Sequence, residues 1–138
     1  MILLDTDTLS HYWAGHARVT AKFQAAKEAP VTSVVSRIEV LQGRFASVTT
    51  AADGNQLIQA HARLLAADQN LAKWTIVPID AVAAAEFDRL RQNKKLKKIG
   101  RADLLIACIA LAHRATLVTR NLRHFRLVPG LQLENWAD

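Results

Sequence analysis

Nine consecutive apolar residues, Leu-Leu-Ile-Ala-Cys-Ile-Ala-Leu-Ala at 104–112, limit what this chain of 138 residues can become. The run is about half the ~20 residues that a membrane-spanning helix requires. It leaves residues 102–115 no polar face, so the helix predicted there must be covered on all sides. The cover is legible in the rest of the sequence. Short, mostly apolar runs at residues 2–4, 31–35, 74–79, 116–119 and 131–133 predict strands. Between them, Val19, Phe23 and Ala26 recur at helical spacing between the Gly15 break and the Pro30 stop. Ser36-Arg37-Ile38-Glu39 matches a capping box that opens a helix to about residue 47. Residues 50–73 predict a long helix striped by Leu57, Ile58, Leu64, Leu65, Leu71 and Ala72, and Asp80 caps another with Ala83, Phe87 and Leu90 inward. Strands alternating with helices imply an α/β architecture, a parallel sheet with helices on both faces. The length predicts one domain over residues 1–138, large enough to bury a core without metal or disulfide staples.

Charge carries the first functional signal. Lys and Arg number 18 against 12 Asp and Glu, and the excess is concentrated. Residues 94–126 hold nine basic residues and a single acid, Asp103. This favours a polyanionic partner, with Lys94, Lys95, Lys97, Lys98, Arg101, Arg120 and Arg123 as candidate contacts to a nucleic-acid backbone. The lone Cys108 cannot form an internal disulfide, and Met1-Ile2-Leu3-Leu4 has no basic leader before Asp5. Both predict a cytoplasmic protein with no membrane segment. The five histidines show no metal-ligand spacing, and neither a glycine-rich phosphate loop nor a Ser-His-Asp pattern is present.

Four polar residues stand where a parallel sheet presents its carboxyl ends to a shared crevice. Asp5 directly follows the first strand, Glu39 follows the second, Asp103 opens the apolar helix and Asn121 follows the fourth strand. Each has a structural explanation when taken alone. Asp5 could end a strand in a turn, Asp103 could complement a helix dipole, and Asn121 could be a turn or cap residue. For Glu39 the capping box alone suffices, at roughly 1 kcal/mol. Taken together the explanations weaken, because three converging carboxylates repel and burial raises the cost. A divalent cation such as Mg²⁺ removes the conflict, and it can activate water against a phosphodiester.

Leu3-Leu4-Asp5-Thr6-Asp7, Ser36-Arg37-Ile38-Glu39-Val40-Leu41-Gln42-Gly43, Ala102-Asp103-Leu104-Leu105-Ile106-Ala107 and Val118-Thr119-Arg120-Asn121-Leu122-Arg123-His124-Phe125 resemble, in order, the four motifs of PIN-domain ribonucleases. Within these the chain looks like a VapC-type toxin of a toxin–antitoxin pair. The resemblance implies a PIN-like three-layer α/β/α sandwich with a mostly parallel sheet. It also implies an endoribonuclease dependent on Mg²⁺ or Mn²⁺, neutralised by a VapB-type antitoxin. By that likeness Asp5 and Asp103 are metal ligands and Glu39 is a third acid of the site. Asn121 stands where many relatives have a fourth Asp. Asp7 stands where relatives often have Asn and is read as supporting, as are the Thr6 and Thr119 hydroxyls.

Two other readings compete. Asp5-Thr6-Asp7-Thr8-Leu9 also fits the opening of HAD-type phosphatases, with Asp5 as nucleophile and Asp7 as acid/base, although no late acidic pair follows. The chain could instead be a non-catalytic basic RNA-binding module whose acids are caps. Residues 50–90 carry more apolar stripe than the core needs, which predicts a homodimer, an antitoxin segment and a higher toxin–antitoxin assembly.

Overall fold

The computed structural model describes residues 1–138. Its strands are short and its helices carry most of the mass. β1 (Ile2–Leu4) ends at Asp5, whose extended backbone and side chain cap α1 (Thr6–Trp13). Leu9, Tyr12 and Trp13 keep a helical spacing, but over only eight residues, and the Asp5 cap nucleates this helix. Gly15, at φ +77°, reverses the chain into α2 (Ala17–Ala25). β2 (Val31–Ser33) passes without a break into α3 (Val34–Thr49). The N-cap is Ser33, whose Oγ accepts the Ser36 N–H at 3.1 Å. The capping box expected at Ser36 and Glu39 is therefore one turn out of place. Ser36 occupies the position expected of Glu39, and Glu39 is left without any capping role.

α4 (Gly54–Leu71) begins later than expected, because Asp53 caps it through the Gln56 N–H and Gln56 answers by accepting the Ala52 N–H at 2.9 Å. β3 (Ile76–Val77), α5 (Ala81–Leu90), a single 3-10 turn at Lys94–Leu96, α6 (Arg101–Ala112), β4 (Thr116–Val118), α7 (Leu122–Phe125) and β5 (Gln132–Glu134) complete the chain. No helix is long and apolar enough to cross a membrane.

All pairings are parallel and the strand order is β3-β2-β1-β4-β5. The chain winds one way from β1 through β3, then returns to the other side of β1 as β4. Between β1 and β4 lies the topological switch point, where flanking connections diverge and leave a crevice at the carboxyl ends. Side chains alternate across the sheet. Leu3 and Leu117 join a core of 17 buried residues built around α6 and closed by Ala83, Leu90 and Phe125. On the opposite face Leu4 and Val118 meet Val19 of α2 and Trp136. Three layers result, as the apolar periodicity implied.

Cys108 sits fully within this core, where burial first, and then the Glu86 charge, pushes its thiol up to about 11. The stripe on α4 is surplus to the core, as the sequence implied. Ala60, Ala67 and Leu71 face inward, while Leu57, Ile58 and Leu65 are exposed, because α4 packs mainly against α3 and not on the sheet. Ile109 of α6 is 0% exposed. Ile109→Ala is expected to destabilise the fold by about 3 kcal/mol, within the 2–5 typical of such truncations, as read from urea unfolding.

Candidate active site

The switch point places the first acid. The Asp5 N–H donates to the Val118 carbonyl at 3.1 Å, extending the β1–β4 ladder by one residue. Thr8 Oγ1 donates to the same carbonyl at 3.1 Å, and the Thr8 N–H donates to Asp5 Oδ1 at 2.8 Å. Asp5 is thus gripped from strand and helix together, and only 6% of it is exposed. Burial pushes its carboxyl above the usual carboxylate range; hydrogen bonds from Thr119 and Thr8 pull the other way, and the Asp7 charge adds to the rise. Thr119 is fully buried, and its hydroxyl also accepts the Asn121 N–H at 3.0 Å, so it ties the β4 exit to Asp5. Thr8 was not singled out in the sequence. Its role depends on a carbonyl 110 residues away, which no local pattern records.

Glu39 enters from α3. Its Oε1 lies 2.6 Å from Thr6 Oγ1, which lies 2.9 Å from Ser36 Oγ, itself 3.4 Å from Ser33 Oγ. Thr6 has one hydroxyl hydrogen and cannot donate to both neighbours. The shorter contact, to a carboxylate, takes that hydrogen, so Ser36 donates to Thr6. The chain Ser33, Ser36, Thr6 is thereby polarised toward Glu39. Thr6 is confirmed beside the acids, and Ser36 is a partner that the misplaced capping box had concealed.

Asp103 opens α6, where the helix dipole favours a negative charge. Its carboxyl is nevertheless raised, by burial first and then by repulsion from Asp5 and Glu39; the Asn121 hydrogen bond and His124 oppose the rise. Three acids from three separate motifs are tied to one rim: Glu39 meets Thr6, the residue after Asp5, and Asp103 meets Asn121, whose N–H is held by Thr119 at the β4 exit. Asn121 Nδ2 lies 3.3 Å from Asp103 Oδ2 and 3.2 Å from His124 Nδ1. It does not cap α7 with its side chain. Its amide nitrogen, not the oxygen expected to face a cation, meets Asp103, because a carboxylate accepts and does not donate. His124, set aside with the scattered histidines, is a neighbour of this group.

Other expected residues lie outside. Asp7 is exposed and its side chain hydrogen-bonds to nothing, so it acts on Asp5 only by charge. Lys94, Lys95, Lys97, Lys98 and Arg123 are exposed and unpaired, and the exposed Arg101 guanidinium lies 5.0 Å from the Phe87 ring centroid. Arg120, also exposed, is held by Asp138 through two hydrogen bonds of 3.2 and 3.1 Å and is not free as expected. None of the four ion pairs engages Asp5, Glu39 or Asp103, so the acids carry no cationic partner. No three His, Cys, Asp or Glu side chains stand close enough together to hold a metal ion by themselves, so a cation here would rest on fewer protein ligands and on water. The donor set is hard oxygen in an open rim, which suits a cation that keeps several of its waters.

Residues 2–131 match the PIN domain. The chain belongs to the PIN-domain family. Among the relatives of this PIN domain, Ribonuclease VapC2 of Rickettsia felis is 41% identical over 68 residues, 48% of this chain and 51% of that one. The chain thus spans about half the length of that curated relative. The tRNA(fMet)-specific endonuclease VapC of Salmonella typhimurium is 30% identical over 91 residues, 59% of this chain and 69% of its own. In three dimensions the chain is similar to VapBC2 from Rickettsia felis bound to a DNA fragment from their promoter, with a TM-score of 0.78, 29% identity and 99% of both chains covered. Membership in the PIN family, on its VapC branch, replaces the phosphatase reading, which required Asp7 as an acid or base rather than a solvated charge.

The raised acids have a signed consequence. A carboxyl whose folded pKa lies above its unfolded one stabilises the fold when protonated, and that contribution is lost as pH rises through the folded pKa. At neutral pH the metal-free PIN domain therefore bears the full cost of Asp103. Asp103→Asn is expected to raise the melting temperature in EDTA at pH 7. The gain should shrink toward zero as pH falls below the ordinary carboxylate value of about 4. A lower melting temperature for the variant at pH 7 would contradict the crowding of charge at this rim.

Proposed function

We propose that this PIN domain is a metal-dependent endoribonuclease and the toxin of a VapBC-type pair. The observation that carries the reading is the meeting of Asp5, Glu39 and Asp103 on one rim without a cation of their own. Asp5 and Asp103 would hold Mg²⁺ or Mn²⁺, with Glu39 as the third acid. Bound there, the ion would supply charge neutralisation for a phosphodiester and make a water molecule more acidic.

The protein's own groups set the rest. The Thr6 hydroxyl fixes one Glu39 oxygen and leaves the other to accept a proton from water at the rim. Asn121 holds Asp103 by its amide hydrogen and keeps that carboxylate from turning away. The apolar wall of α6 behind Asp103 excludes bulk water from one side. Lys94, Lys95, Lys97, Lys98, Arg101 and Arg123 would hold the RNA backbone by charge, without reading sequence. Arg120 would join them only by releasing Asp138.

The partner assignment draws on VapC relatives solved as complexes with their antitoxins. Ile38 and Phe45 on α3, with Leu57, Ile58 and Leu65 on α4, expose apolar surface suited to a VapB-type segment or a second copy in a homodimer. We infer a cytoplasmic toxin neutralised there.

Purified protein is expected to cleave single-stranded RNA with Mg²⁺ or Mn²⁺ and to lose cleavage in excess EDTA. Asp5→Asn and Asp103→Asn should each abolish cleavage while circular dichroism stays native; Asn caps α1 as well as Asp does. Glu39→Gln should also remove activity and leave the melting temperature within about 2 °C, because Ser33 and not Glu39 caps α3. RNA binding that ignores EDTA, with no cleavage under any metal, would favour the non-catalytic module.

A further inference from the structure

One groove borders the acidic rim and shares only Glu39 with the carboxylate cluster. Thr6 and Ser10, four residues apart on α1, face Glu39, Val40, Gly43 and Arg44 on α3 across a cavity of about 260 Å³. Four other cavities, of about 240 to 640 Å³, touch none of the candidate acids. The volume lies below the roughly 300–1,000 Å³ of small-molecule pockets, so it suits a single tetrahedral or planar anion and not a whole nucleotide.

Three features of the groove lack a structural purpose. Arg44 Nε is buried without a hydrogen-bond partner. Its guanidinium makes no ion pair, although Glu39 lines the same cavity. A buried, unsatisfied donor is costly, and this one belongs to the side chain best shaped to grip a phosphate. Gly43 is the third feature. A glycine inside a helix weakens it relative to alanine, yet a Cβ at Gly43 would meet nothing within 4 Å. Close packing therefore does not demand the glycine. Gly43 is exposed, and its missing side chain leaves the edge of the groove open. Ser10 Oγ donates its one hydrogen to the Thr6 carbonyl at 2.9 Å, and would donate to an anion at the wall only by releasing that carbonyl.

We propose that this α1–α3 groove is a phosphate subsite, in which Arg44 binds the RNA phosphate adjacent to the one being cleaved. The proposal rests on the endoribonuclease reading. RNA is favoured over an acidic peptide because the groove is continuous with the rim: Thr6 lines it and also holds Glu39. A chain whose scissile phosphate sits over the acids carries its next phosphate past Thr6, toward Arg44. Arg44 is then a positioning and binding residue, set apart from the basic residues at 94–126.

The test uses a fluorescent single-stranded oligoribonucleotide and two readouts. In the first, binding is measured on the Asp103→Asn protein over a range of salt, so that no cleavage intervenes. Arg44→Gln added there should weaken binding about tenfold, the worth of one charge-assisted contact. It should also lower the slope of log affinity against log salt by about 0.7, one phosphate on a single strand. Gly43→Ala should raise thermal stability yet weaken binding several-fold, a combination that a purely helical role excludes. In the second readout, otherwise wild-type protein carrying Arg44→Gln should show a KM raised about tenfold with kcat within about twofold, partly restored by Arg44→Lys. Replacing the neighbouring phosphate by an uncharged methylphosphonate should weaken the protein with Arg44 and leave Arg44→Gln unaffected. Unchanged affinity, slope and KM in both Arg44→Gln and Gly43→Ala would overturn the subsite. Weakened binding of an oligoglutamate peptide with RNA binding intact would overturn the RNA assignment. Wild-type protein that never cleaves RNA, while the two variants still weaken RNA binding, would sink the nuclease reading alone.

Discussion

The pairing of β1 with β4 is the contact on which the rest depends. Leu4 stands in register with Val118, and the Val118 carbonyl then receives both the Asp5 N–H and the Thr8 hydroxyl. One oxygen atom thus joins the end of one strand, the end of its neighbour and the first turn of α1. Because β4 returns to the far side of β1 after the chain has wound through β2 and β3, the connections leaving the two strands diverge. Asp5 and Asn121 follow the two strands at that opening, Asp103 meets Asn121 there, and Glu39 reaches Thr6 from α3. A slip of one residue in this register would turn Asp5 toward the opposite face of the sheet and dissolve the site.

Around that crevice the molecule accepts an electrostatic cost. Asp5 and Asp103 are raised by burial, and Asp103 also by its neighbours' charges, with no lysine or arginine to balance them. The supports are neutral: Thr8, Thr119, Thr6, Ser36 and Asn121 orient the acids without neutralising them. An ammonium in their place would stabilise the empty fold and compete with a bound cation. The cost is carried by α6, whose buried residues Ile106, Ala107, Cys108, Ile109 and Ala110 anchor Asp103 to the largest core of the molecule. Stability is concentrated behind the acid whose environment is least favourable.

The positive charge is arranged differently. It lies on exposed turns, at the 3-10 turn before α6 and around α7, where long side chains reach a polyanion without being ordered beforehand. Arg44 is the exception, part-buried between two helices and close to Glu39. Exposed lysines offer charge without a fixed position, whereas a guanidinium held between two helices offers a more fixed one.

Much of this was legible from residue order alone. The strand and helix alternation, the burial of residues 104–112, and the placement of Asp5 at a strand end and Asp103 at a helix start follow from apolar periodicity and local capping chemistry, which act over a few residues. Those signals also misled. Ser36-Arg37-Ile38-Glu39 has the capping pattern, but Ser33 is the cap, because β2 runs straight into α3 and the backbone turns helical three residues earlier than the pattern implied. Residues 6–13 carry only a short helical pattern at Leu9, Tyr12 and Trp13, and their helix starts where it does because Asp5 caps it once β1 is held in the sheet. The Thr8–Val118 and Arg120–Asp138 contacts, the rotation of Asn121 toward Asp103, the outward stripe of α4 and the open groove over Gly43 were decided by tertiary structure. Each depends on what a distant segment places opposite a side chain. Sequence determined which residues could do chemistry and the order in which the sheet would bring them forward; only the packed fold decided which atoms met, because hydrogen bonds and burial are properties of neighbours in space.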